Sequence, residues 1–460
     1  MTPSTEIIPK IGPKNAPAIG AKKSKRVKET FEPASLLKGI CKDIYPKREN
    51  RNKKNSFFCN CLVMSNGKIN QVVGIVNMRN IKLLAWFNFF SDFKLYTPLA
   101  IIYLSNVTGS YAQGAAVISI AMLSSAIFEV PTGIFSDFIG RKKTIILGAA
   151  TSVLYVSLYG LGTSFWPLAT AACFEGLARS FYSGNNDAFL HDSLTEKGQH
   201  NKYHHYLGRL SSMFQLGLGV SAVLGSLVAA RSFAWVFAFS ALAQLICFFI
   251  ALNFKEPKVK GKLITTNVYQ HLTDSFKDIV KNAKLRLLTL SSIFSFGFGE
   301  ASYQFRGAFY IMVWPIWAIG FASMISNFGA IFGFYFSGKI IDKLGGSKIL
   351  VFSAIYNRFI DFVGLIFAGP LSPLLMTTTS LHYGIAYTAK GAMMQKEFTE
   401  HQRATMASIA SFGGSICFGL VTVALGIVAD SYDPRVALLL LEFLLLLNIY
   451  IYWKLFKGDS

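Results

Sequence analysis

Charge is scarce in this chain. Only 15% of its 460 residues are Asp, Glu, Lys or Arg, against about 25% in an average soluble domain, and that shortfall excludes the three water-facing domains that the length alone allows. Acidic residues are the rarer sign, 24 against 45 Lys and Arg, leaving a net charge of +21. In a soluble chain that excess points to nucleic acid, whereas in a membrane chain it marks the cytoplasmic side. Cysteine is limited to Cys41, Cys59, Cys61, Cys173, Cys247 and Cys417, the last three inside apolar runs, so neither a disulfide framework nor an oxidising compartment is indicated. Cys59 and Cys61 have no further Cys or His at ligand spacing, so no metal site is expected. A Gly-x-Ser-x-Gly elbow, a phosphate loop and a His-Glu-x-x-His helix are also missing, and with them the reading as an enzyme. No cofactor and no obligate protein partner are implied, and a secretory signal is absent.

What the chain does have is apolar bulk: 52% hydrophobic residues, 41 Phe and a mean hydropathy of +0.42. From Leu83 onward it becomes a series of apolar stretches of about 20 residues, the length that crosses a hydrocarbon layer ~30 Å thick. Twelve are expected, over 81–104, 111–135, 143–163, 166–190, 205–230, 232–253, 285–310, 314–339, 348–369, 372–396, 404–428 and 434–455. The fold class is therefore an all-α membrane protein embedded in a lipid bilayer.

Charge then divides the chain. Residues 1–77 hold 15 Lys and Arg against Glu6, Glu29, Glu32, Asp43 and Glu49, so +10 of the +21 lies in a basic tail that reads as disordered cytoplasmic sequence. The tail has two further readings, an anionic-lipid-binding segment or an extension ahead of a natural start at Met64 or Met78. Residues 78–254 and 285–456 each hold six spans, and the basic segment 255–284 between them reads as a cytoplasmic linker. An even number of spans puts both termini in the cytoplasm, with the protein in the plasma or bacterial inner membrane.

Between the second and third spans lies Gly133-Ile134-Phe135-Ser136-Asp137-Phe138-Ile139-Gly140-Arg141-Lys142-Lys143. Gly133 lets helices approach, Gly140 permits a tight turn, and Asp137 can pair with Arg141 or cap a helix. The spacing Gly-x-x-x-Asp-x-x-Gly returns 205 residues later as Gly338, Asp342 and Gly345, again between the second and third spans of its half. Two six-helix bundles related by a pseudo-two-fold axis follow from this repeat. Over residues 80–456 these features resemble the major facilitator superfamily, whose loop motif has the form Gly-x-x-x-Asp-Arg/Lys-x-Gly-Arg-Arg/Lys. The first copy departs from it at Phe138 and the second at Gly346.

The resemblance implies a transporter working by alternating access. It implies a cytoplasmic gate in which Asp137 and Arg141 lock the two halves together, Asp187 completes the charge cluster, and Glu129 and Asp342 stand nearby. The drug–proton antiporter branch carries Arg-x-x-Gln-Gly in its fourth helix; here Glu175-Gly176 takes the Gln-Gly place, but Ala172 takes the Arg place.

Ionisable residues inside spans are costly and mark function. Asp92 lies roughly 14 Å beyond Leu83 at 1.5 Å per residue, near the midplane, and is a natural proton carrier or counter-ion. Lys94, two positions on, does not share its face on a continuous helix. Glu175 and Arg179 stand one turn apart, either satisfying each other or binding solute. Glu300 and Gln304 occupy the seventh span, and Gln215 adds a polar wall from the fifth. Arg358 and Asp361 are expected to neutralise each other. The leading expectation is proton-driven export of hydrophobic or cationic small molecules, with Asp92, Glu175 and Glu300 as charge partners. One alternative is import of a polar or anionic metabolite held by Arg179 and Arg306. A second is a transport-inactive sensor or scaffold.

Overall fold

The computed structural model describes residues 79–258, 282–397 and 403–459. The predicted basic tail, Cys41, Cys59, Cys61 and most of the predicted linker lie outside the described residues.

Every regular element among the described residues is helical. The first half contains α1 (Arg79–Ser91), α2 (Ala100–Thr108), α3 (Tyr111–Ile139), α4 (Arg141–Leu161), α5 (Phe165–Tyr182), α6 (Asn185–Glu196), α7 (Tyr203–Ala229) and α8 (Phe233–Leu252). The second contains α9 (Ala283–Val313), α10 (Ile316–Leu344), α11 (Gly346–Ile366), α12 (Ser372–Thr377), α13 (Thr379–Glu397), α14 (Arg403–Ser431) and α15 (Pro434–Asp459). Eight of them, α3, α4, α7, α8, α10, α11, α14 and α15, contain stretches long and apolar enough to cross a bilayer.

Local chemistry sets the helix ends. Ser110 caps α3 by accepting the Gln113 N–H at 3.2 Å, and Asn282 caps α9 by accepting the N–H groups of Lys284 and Leu285. Gly140 and Gly345 close α3 and α10 with nearly the same backbone, φ 97° and ψ 156° against φ 82° and ψ 146°. Each donates its N–H to a carbonyl four residues back, and the next helix begins at the following residue. Only glycine takes that φ without strain, so the two motif copies are the same turn in space as well as in sequence.

Three predicted spans are not continuous. The first is broken between Ser91 and Ala100, the fourth, 166–190, is interrupted at Ser183 and Gly184 between α5 and α6, and the tenth is split at Thr378. The first break coincides with the polar pair Asp92 and Lys94 and with Pro98, which has no N–H to give to a ladder.

The halves repeat one packing plan. In the first, α3 packs on α5, α4 on α8 and α1 on α7; in the second, α10 packs on α13, α11 on α15 and α9 on α14. Across the halves, α3 meets α14 and α7 meets α10. The apolar core reports how far this contact extends. One cluster joins both halves, running from Leu99 and Ile101 to Phe305, Leu425 and Leu438. Two others are confined to one half each, around Ile145, Leu190 and Phe254 and around Leu288, Ile349 and Leu455. Both of these lie at the end that carries the Gly140 and Gly345 turns, here termed the turn face. The halves are thus sealed at the opposite face and parted at the turn face.

The seal is made of close backbone approaches. The Asp430 carboxylate at the end of α14 accepts Ser110 Oγ–H at 2.5 Å and the N–H groups of Tyr111 and Ala112 at 2.6 and 3.0 Å. Gly320 of α10 lies so near Ala222 and Ser226 of α7 that any side chain there would collide with them, and its N–H donates to Ser226 Oγ at 3.1 Å. At the turn face Phe138 and Tyr335 are exposed. Gly133, expected to let helices approach, faces open space, and so does Gly338 of the second copy.

Candidate functional site

A cavity of about 330 Å³ lies between the halves. The first half supplies nearly all of its wall, and the second contributes Gln304 and Phe418. Its polar groups are Asp92, Lys94, Thr97, Glu175 and Arg179, with the hydroxyls of Tyr96, Tyr103, Tyr159 and Tyr182. Phe214 and Phe237 add further aromatic surface.

The break in the first span builds one side of it. On a continuous helix Lys94 turns away from Asp92, and this was the expectation. In the structure the backbone leaves the helix after Ser91, and both residues line the cavity with Lys94 Nζ 3.7 Å from Asp92 Oδ1. The ammonium also stands 5.8 Å from the centre of the Tyr155 ring, a cation–π distance. Ser91 Oγ donates to the Asp92 carboxylate at 3.2 Å. Asp92 is therefore an ion-paired carboxylate rather than a lone one.

The opposite side comes from α5. Glu175 is 7% exposed, and its carboxylate accepts Arg179 Nη2–H at 2.7 Å, Arg179 Nε–H at 3.1 Å and the Tyr159 hydroxyl at 2.8 Å. Tyr159 is itself held in place, since its carbonyl accepts the Tyr103 hydroxyl at 2.6 Å. Gly176 allows α5 to lie against the backbone of α3 at Ala121 and Ser125, which draws the carboxylate into the wall. The Arg179 side chain, in contrast, is 46% exposed. Its guanidinium is the most accessible charge of the two pairs that line the cavity.

Three more predicted residues fall around this site. Gln304 lines the cavity and donates to Glu300 Oε1 at 3.1 Å. Glu300 does not line it and forms no ion pair among the described residues, unlike Asp92 and Glu175. Gln215 does not line it either; there the wall of α7 is Phe214 and Leu218.

Arg306, offered as an anion-binding residue, directs both terminal nitrogens of its guanidinium elsewhere, while its buried Nε–H has no partner among the described residues. It donates two bonds to the Asp361 carboxylate at 2.9 and 3.0 Å, one to the Met376 carbonyl and one to Thr379 Oγ1. The expected Arg358–Asp361 pair is present but loose at 3.6 Å. The closer partner of Arg358 is Glu442 of α15, which the sequence reading missed. Two arginines and two carboxylates thus form a buried, charge-balanced network joining α9, α11, α13 and α15.

The turn face shows a related rearrangement. Asp137 and Arg141 form the expected pair at 2.8 Å, and Arg141 Nη1 donates to Ser136 Oγ at 2.9 Å. The additional acid near Arg141 is Asp192, at 3.8 Å, and not Asp187. Gly184, at φ 66°, turns the chain into α6. Asn185, whose side chain contacts Ser136 and the Arg141 carbonyl, shares a helix face with Asp192 seven residues on, while Asp187 lies round the other side. Glu256 was also missed: its carboxylate accepts the first two N–H groups of α4, from Arg141 and Lys142, at 2.7 and 2.9 Å. Glu129 is exposed and accepts from Ser183 Oγ at 3.3 Å. Asp342 is exposed. Among the described residues, the hydrogen bonds and ion pairs of Asp137, Arg141, Glu129 and Glu256 stay within the first half.

Comparison with known proteins places this architecture. The family model described as Major Facilitator Superfamily matches residues 83–422. An uncharacterized MFS-type transporter of Methanocaldococcus jannaschii is 21% identical over 72% of this chain and 89% of its own length. Multidrug resistance protein 2 of Bacillus subtilis is 22% identical over 61% and 69%. A probable 4-methylmuconolactone transporter of Cupriavidus pinatubonensis is 23% identical over 68% and 74%. Among solved structures, a single-residue mutant of the nucleoside transporter NupG superposes with a TM-score of 0.72 at 15% identity, covering 83% of this chain and all of its own. A D-xylose-proton symporter gives 0.63 at 12%, covering 83% and 97%.

Proposed function

The chain belongs to the Major Facilitator Superfamily, and from that premise we propose that this multi-pass membrane protein is a twelve-span, alternating-access transporter of a small polar solute. The solute carries an anionic or strongly accepting group that docks on Arg179. The observation that carries this reading is the distribution of charge in the cavity. Of the three carboxylates expected to attract lipophilic cations, two are already neutralised, Asp92 by Lys94 and Glu175 by Arg179 with Tyr159, and the third, Glu300, does not line the cavity. The most accessible of these charges is the guanidinium, and its planar fork suits a carboxylate or a ring carbonyl. The tyrosine hydroxyls of the wall, three of them already bonded within the protein, keep lone pairs for a solute with donor groups of its own.

In this reading the turn face is cytoplasmic, and the parted halves are an inward-open state. The Asp137–Arg141 gate is then disengaged and closes on the second half only when the opposite face opens. Glu300 carries the coupling proton, because protonating it breaks no ion pair, whereas protonating Asp92 or Glu175 strands a cation in the membrane interior.

A second reading has support of its own. Aromatic surface from Tyr96, Tyr103, Tyr159, Tyr182, Phe214 and Phe237 dominates the cavity wall, and one relative is named for multidrug resistance; both favour export of hydrophobic compounds. Purified protein screened by thermal shift against small ring-bearing carboxylates, neutral nucleosides and lipophilic cations separates the two. Stabilisation by a carboxylate that disappears in Arg179→Ala supports the first, and stabilisation by lipophilic cations that survives Arg179→Ala overturns it.

A further inference from the structure

The helix α8 holds the most apolar of the membrane-crossing stretches, with a mean hydropathy of 2.2. Two polar side chains nevertheless stand one turn apart on it, Ser240 and Gln244, both 0% exposed. Neither lines the cavity. Both are directed at the break in the first span. Gln244 Nε2 donates to the carbonyls of Phe90 and Ser91 at 3.2 and 3.3 Å, and Ser240 Oγ accepts the Leu95 N–H at 3.0 Å.

We propose that Ser240 and Gln244 are positioning residues for the solute site. They hold the first span open at Asp92–Leu95, and so bring Asp92 and Lys94 to one cavity wall. A bilayer interior offers no water to the backbone groups freed by a broken helix. The Phe90 and Asp92 carbonyls still accept the N–H groups of Phe93 and Lys94 within the break, but the Ser91 carbonyl and the Leu95 N–H need partners from a neighbouring helix, and the α8 pair supplies both. Its second bond to Phe90 and a longer one from Ser221 Oγ of α7 to the Asp92 carbonyl at 3.4 Å add to these. On a continuous helix residues two apart point about 200° from one another, and Lys94 could not reach Asp92. With the α8 partners removed, re-forming the helical ladder becomes the better way to satisfy those groups.

The inference rests on the proposal that Asp92 and Lys94 belong to the solute site. Its test reports where they stand, whether or not a solute binds there. Asp92→Cys and Lys94→Cys are made singly in a background free of native cysteines, with Cys247 as serine, and reacted in nanodiscs with a polar maleimide. With Ser240 and Gln244 intact, both thiols react at comparable rates. In the Gln244→Leu/Ser240→Ala background the ratio of the two rates shifts about tenfold, the equivalent of one or two buried hydrogen bonds, as one position turns into the bundle. Ser240→Thr, which keeps the hydroxyl, restores much of the original ratio when combined with native Gln244. Where the double variant does not purify as a monodisperse protein, Ser240→Ala alone gives the same direction at about threefold. An unchanged ratio in a monodisperse variant overturns the proposal.

Discussion

Replacing Asp430 with alanine removes three hydrogen bonds that tie α14 to the start of α3 across the sealed face. They exist only while that face is closed, so their loss raises the closed state in free energy and leaves the opposite-open state untouched. The group is exposed and water replaces part of what is lost, so the low end of the net range applies, about 0.5 kcal/mol per bond. Three bonds give roughly 1.5 kcal/mol, or about a tenfold shift in the equilibrium between the two states. Ser323 of α10 reports that shift, because it lines a void of about 20 Å³ behind the seal, beside Arg306 and Tyr310. In a cysteine-free background carrying Ser323→Cys, maleimide labelling should proceed about ten times faster with Asp430→Ala than without it. Equal rates would refute the assignment of Asp430 as a latch. Faster labelling accompanied by a general loss of thermal stability would point to unfolding instead, which a parallel melting curve detects.

Gly320→Val acts on the same seal by sterics: its Cβ collides with Ala222 and Ser226, and labelling at Ser323→Cys should rise while flux falls. Glu300→Gln keeps the shape and the Gln304 contact but holds no exchangeable proton, so gradient-driven accumulation should be lost while exchange of solute across the membrane continues; proteoliposomes with and without a pH gradient measure both. Asp361→Asn leaves Arg306 and Arg358 short of negative charge in a buried site, a loss of roughly 3–5 kcal/mol, and should lower the melting temperature in detergent by many degrees. An unchanged melting temperature contradicts the charge-balanced network.

The architecture was readable because it rests on local signals. Apolar length marks eight of the helices, and the Gly133–Gly140 and Gly338–Gly345 spacings set the duplicated turn. What escaped depends on partners far along the chain. Gln244 meets Ser91 across 153 residues and Arg358 meets Glu442 across 84, so neither pairing leaves a local pattern. The break in the first span was hidden for a related reason: the partners that permit the break lie on α8. The one available signal was two polar residues one turn apart in the most apolar span. The family resemblance points to Asp187, whereas the chain turned at the left-handed Gly184 sets Asp192 beside Arg141.

Counterflow in proteoliposomes addresses the central claim most directly. Vesicles loaded with an unlabelled ring-bearing carboxylate found by the thermal-shift screen are diluted into a trace of the labelled compound. The account predicts a transient accumulation of label above equilibrium that disappears in Arg179→Ala and persists in Arg179→Lys at reduced affinity. Absence of any overshoot with the wild-type chain, or an overshoot indifferent to Arg179, would contradict it.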